Sequence, residues 1–135
     1  MTTSATVLVL LIAWTLFLLI LMEVIRTGLV LGGRMKSNEF LIDNANLSPF
    51  MQRLARAHAN CLENLPLFGG LLLIAIAAQR SGITDPLAPW LLAARVAQSS
   101  IHLVSTSVMA VNLRFTAFLV QVGIAVFWCW ALLTR

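Results

Sequence analysis

The chain has no tyrosine, two cysteines, and only five acidic residues among 135. Charged residues of both signs make up 10%, against about 25% in a soluble domain. That shortage rules out an ordinary water-exposed surface. Cys61 and Cys129 are 68 positions apart, and neither spacing suggests a zinc site or a redox pair. No HxxxH or HExxH occurs. Nine Lys and Arg raise the isoelectric point to about 10.6, yet no tract interleaves basic and aromatic residues as a nucleic-acid surface does.

What the chain does have is apolar sequence, 60% of its residues, with a mean hydropathy of +0.93. The composition indicates an integral, multi-pass membrane protein of one domain, residues 1–135, with membrane lipid as its surroundings. The first apolar run has no basic leader and no small-residue cleavage site, so it reads as a retained helix. Ser48-Pro49 and Asp85-Pro86 are helix-start signals, since a proline in the first turn gives up an N–H that has no partner there. The pattern predicts an all-α fold, a four-transmembrane-helix bundle with spans at about 5–33, 49–80, 86–106 and 115–133. Pro66 is expected to kink the second span, and Gly69-Gly70 to allow close helix approach.

Basic residues set the orientation. Arg34, Lys36, Arg53, Arg56 and Arg114 fall on one side, Arg80 and Arg135 on the other. The positive-inside rule puts the five in the cytoplasm and both termini outside.

The stretch RAHANCLENLPLF, residues 56–68, carries polar side chains up to the edge of an apolar run. Only fourteen residues, Leu65 to Ala78, are continuously apolar, too few to cross about 30 Å of hydrocarbon. Arg53, Arg56, Asn60, Glu63 and Asn64 share one arc of a helix, with His58 nearly opposite. In the third span Arg95, Gln98, Ser99, His102, Ser105 and Thr106 recur on a single face. Glu23 and Arg34 are eleven residues apart and so nearly aligned on the first helix. Polar stripes of this kind face protein or water rather than lipid, so partners from a neighbouring subunit are expected. The residues converging near one leaflet form either a structural ion-pair network or a site for a small anionic ligand.

The motif RAHANCLENLPLF resembles the second-helix pattern R-A-H-x-N-x-x-E-N-x-x-P-F of the MAPEG family, membrane-associated proteins in eicosanoid and glutathione metabolism, with one residue fewer before the proline. Arg95 with its polar face is similar to the family's third helix, and Asn112-Leu113-Arg114-Phe115 to its entry into the fourth. The resemblance extends over nearly the whole chain. It implies a homotrimer that binds glutathione as cosubstrate between subunits near the cytoplasmic face. It also implies transferase or peroxidase activity on a lipophilic electrophile or hydroperoxide. Arg34, Arg56, Asn60, Glu63, Arg95 and His102 would bind the tripeptide, and Arg114 would stabilise its thiolate. Two positions depart from well-studied relatives: His102 aligns where they carry a tyrosine, and Ala59 where some carry an arginine. A bacterial-type member, in the inner or plasma membrane, fits better than an eicosanoid synthase. Two other classes compete with this reading: a non-catalytic membrane scaffold, and a small proton-coupled transporter using Glu23.

Overall fold

A computed structural model describes all 135 residues as five helices and no strand: α1 (Thr3–Leu31), α2 (Pro49–Ala77), α3 (Ser81–Thr84), α4 (Ala88–Val104) and α5 (Val108–Thr134). Side-chain caps set three of the starts. Thr2 Oγ1 accepts from Ala5 N at 3.1 Å, Ser48 Oγ from Met51 N at 3.3 Å, and Ser107 Oγ from Ala110 N at 3.2 Å, each satisfying an otherwise unpaired donor of the first turn. α1 stops at Gly32 and Gly33, the latter at φ +72°, where a side chain would be strained.

The boundaries correct the sequence reading in three places. α2 ends at Ala77 rather than near 80, because Gln79 adopts φ +57° and turns the chain. The helix expected from 86 starts at Ala88. Asp85 does not cap it; its carboxylate instead accepts from Ser4 N at 2.8 Å and Ser4 Oγ at 2.6 Å, fastening the start of α1. The last helix starts at Val108, not 115, because Ser107 caps it. Arg114 therefore sits inside α5 and not at its entrance. α2 runs unbroken through Pro66. Gly69 does sit at a close approach, since a Cβ there would meet Leu8 Cδ1 of α1 at 3.1 Å; Gly70 has open space instead.

Three helices, α1, α2 and α5, are long and apolar enough to cross a membrane. Only 27 residues are buried, while Phe17, Ile20, Leu67, Leu73, Leu119 and Val126 stand exposed. An apolar surface of this extent is stable in lipid, not in water. Side-chain bonds tie the helix ends together. Arg80 Nη1 donates to Leu132 O near the end of α5 at 2.6 Å, and Arg53 Nε of α2 to Leu103 O near the end of α4 at 2.9 Å. Each supplies a donor to a last-turn carbonyl that the helix cannot satisfy itself.

The interior has two apolar clusters. One joins Val7, Leu11, Phe68, Leu72, Leu91, Ile124 and Trp128 from α1, α2, α4 and α5. The other joins Leu18 and Met22 of α1 to Met51, Leu54 and Cys61 of α2. Near the middle of their helices lie Thr15 of α1, Asn60 of α2, Arg95 of α4 and Gln121 of α5, a polar layer in the middle of the fold.

Candidate functional site

α4 supplies the centre of that layer. Arg95, Gln98 and Ser99 lie on its inward face at i, i+3 and i+4 and all three are buried. Arg95 Nε donates to Gln121 Oε1 of α5 at 2.9 Å, and its Nη1 to Asn60 Oδ1 of α2 at 2.5 Å. Gln121 Nε2 donates onward to Gln98 Oε1 at 2.8 Å, and Gln98 Nε2 reaches Asn60 Oδ1 at 3.4 Å. Cys61 Sγ lies 3.1 Å from Ser99 Oγ and 4.0 Å from Arg95 Nη1, and Phe68 offers its ring face to the guanidinium at 5.6 Å. Every partner of Arg95 is neutral, and its Nη2 is buried without one.

Nearer the end that holds the 32–48 connection lies a second cluster. The charges of Arg114, Arg56 and Arg53 all act on half-buried His102. No carboxylate joins them. Glu63 is exposed and unpaired, and the chain's one ion pair is Glu23 with Arg26, at 3.3 Å. Arg114 is half-buried, with Nε unpartnered. Three guanidinium groups with no counter-charge within the chain make a region that favours an anion.

The structure thus joins Asn60 to Arg95 directly, and places His102 among Arg53, Arg56 and Arg114. It leaves Arg34, Arg56 and Glu63 exposed and without side-chain partners. The expected alignment of Arg34 with Glu23 does not form, because α1 ends at Leu31 and Arg34 lies beyond it. Arg26 takes that place. Its guanidinium holds Glu23, the carbonyl of Leu41 and the side chain of Asn44. Asn44 is fully buried at φ +55° and donates to Met51 O at 2.8 Å, so one residue pins the connection onto α1 and α2. Cys61 is buried, whereas Cys129 is exposed on α5.

Gln121 is the functional-looking residue that sequence reasoning missed. Its signal was present: it is the one amide between Thr116 and Thr134 in an otherwise apolar helix. A polar side chain at such a depth needs partners and marks a buried polar contact.

The family model of the MAPEG family matches residues 4–134, from the start of α1 to the end of α5. The chain belongs to the MAPEG family. No curated protein and no solved structure matches it. For a MAPEG protein the three membrane-length helices are those of an integral membrane protein.

Proposed function

We propose that this MAPEG protein binds glutathione at the cationic end of the fold and delivers it as a thiolate to a lipophilic electrophile or hydroperoxide. The observation that carries the reading is the group of Arg53, Arg56 and Arg114 about His102, with no carboxylate among them. Glutathione has two carboxylates and an amino group. Arg56 and Arg34 have free guanidinium groups suited to bidentate carboxylate binding, and Glu63 has a free carboxylate suited to the amino group. Arg95 is committed to Asn60 and Gln121, so its contribution runs through Asn60. His102 lines the cationic end beside the tripeptide.

Arg114 serves the reaction itself. A fixed positive charge beside the thiol favours the thiolate, which is the nucleophile. In transfer, the thiol proton goes to solvent, sulfur bonds the electrophilic carbon, and the leaving group departs with the bonding pair. With a hydroperoxide, the thiolate attacks the outer oxygen and the alkoxide leaves, taking a proton to become the alcohol. A second glutathione then displaces water from the sulfenic acid and gives the disulfide.

The same reading makes α4 a fourth crossing. Its 17 residues span about 26 Å at 1.5 Å each, within the range of short transmembrane helices. It makes the cationic end cytoplasmic and the active form a homotrimer, in which a neighbouring copy covers Arg56 and Glu63. A transporter built on Glu23 is disfavoured by the pairing of that carboxylate with Arg26. Calorimetric titration with glutathione tests the site. Arg56→Ala and Glu63→Gln should each weaken binding by roughly tenfold, the worth of one charge-assisted hydrogen bond. Unchanged affinity in both would remove the site from this face of α2.

A further inference from the structure

We infer that Gln121 and Gln98 are positioning residues: with Arg95 they close a ring of side-chain hydrogen bonds that turns the Asn60 amide so that its NH2 group, not its carbonyl, meets the ligand. This deepens the proposed glutathione site and rests on it for the ligand's identity, though not for the ring.

Arg95 is the one member of the ring whose hydrogen-bonding direction cannot vary. A guanidinium only donates. The atom of Gln121 facing Arg95 Nε at 2.9 Å is therefore its oxygen, and the atom of Asn60 facing Arg95 Nη1 is likewise its oxygen. With Oε1 fixed, Gln121 must point its NH2 away from Arg95. There it meets Gln98 Oε1 at 2.8 Å and the carbonyl of Ala117 at 3.0 Å, which uses both of its protons. Gln98 then has its own NH2 left, and this reaches the same Asn60 oxygen at 3.4 Å, the longest bond of the four. The circuit Arg95–Gln121–Gln98–Asn60 closes with every amide orientation dictated by the arginine.

Asn60 is the ring's outlet. Its oxygen takes two donors, while its Nδ2 has no partner in the chain and is not a buried atom. Gln98, Gln121 and Arg95 are each more than nine-tenths buried, whereas Asn60 is only half-buried. The buried residues hold and the half-exposed one presents. A group seated against Asn60 must then accept a hydrogen bond. A carboxylate or a peptide carbonyl of the tripeptide qualifies; an ammonium group does not. Gln121 acts at one remove. By holding Nε it sets the plane of the guanidinium, and so places Nη1 on Asn60.

Side-chain amide hydrogen exchange by NMR on the full protein, labelled with nitrogen-15 at Asn and Gln, tests the ring without any ligand. The Asn60 signal is assigned by its loss in Asn60→Asp. We expect the Gln121 protons to be protected and those of Asn60 to exchange freely; an Asn60 amide as protected as that of Gln121 overturns the inference. Asn60→Asp keeps the oxygen that receives Arg95 and Gln98 but replaces the outward donor with an acceptor. It should hold the melting temperature while lowering glutathione affinity roughly tenfold or more; parent affinity in that variant also overturns the inference. Gln121→Leu should weaken binding, and Gln121→Glu, which keeps the acceptor for Nε but loses the donor to Gln98, should restore it in part. A role in packing alone would show the reverse order. Should the parent protein bind no glutathione, the proposed function fails, while the exchange measurement still decides the ring.

Discussion

Arg53 of α2 donates from Nε to the carbonyl oxygen of Leu103, 2.9 Å away, so a side chain of one helix closes the last turn of another. α4 then leaves the helical conformation at Ser105, whose backbone is extended. A last-turn carbonyl near a membrane surface has no guaranteed water to replace this donor. Arg53→Met should lower stability by about 1–2 kcal/mol, the range for a hydrogen bond from a charged donor that is partly exposed. Arg53→Lys should recover part of the loss. Thermal unfolding of the three proteins in one detergent measures this, and equal midpoints would show that α4 needs no such cap.

The orientation is open to chemical labelling. Asn44 is the wrong place for a probe, since it is fully buried and bonded to Arg26 and Met51. Asn38 lies exposed in the same connection. In a Cys129→Ser background, Asn38→Cys should resist a membrane-impermeant maleimide added to intact cells and react once the membrane is opened. Efficient labelling of intact cells would place the connection outside, reversing the positive-inside assignment.

The reach of the sequence can be judged residue by residue. Arg95, Gln98 and Ser99 were legible as one inward face, because periodicity along a helix needs no knowledge of its neighbours. Ser48-Pro49 located the start of α2 for the same local reason. The sequence carried no such local cue for Asp85, which looks like a cap for the helix after it and instead fastens Ser4, 81 positions away. Nor did it reveal that Glu23 turns to Arg26. Helical spacing aligned Glu23 with Arg34, but α1 ends first at its glycines. Gln121 was missed because a lone amide in an apolar run gives no periodic pattern. Its meaning depends on what faces it from α4.

The proposed assembly rests on the charges left outside. Arg56 and Glu63 stand exposed on a helix of membrane-crossing length. Such a charge costs about 2.5–3.5 kcal/mol at mid-bilayer on the mildest scale and less toward the surface, so Glu63, at the middle of α2, most needs a protein surface to cover it. Native mass spectrometry from mild detergent should give a homotrimer. A monodisperse monomer would leave those charges facing lipid and would sink the trimer.

The most direct test of the central claim is the ultraviolet absorbance of the glutathione thiolate, followed as purified protein is titrated with glutathione across a pH series. A free cysteine thiol titrates near 8.5, and each unit of depression corresponds to about 1.4 kcal/mol of thiolate stabilisation. A fixed cation favours the charged form, so the bound thiol should titrate lower and the thiolate signal should persist to lower pH than in free glutathione. A shift of about one unit is reasonable for a single half-buried guanidinium. In Arg114→Ala the bound thiol should return toward its free value, with affinity falling less than in Arg56→Ala. A parent protein that gives no thiolate signal beyond that of free glutathione at any pH would contradict the account. A signal that survives Arg114→Ala unchanged would leave the binding and take the catalytic role from Arg114.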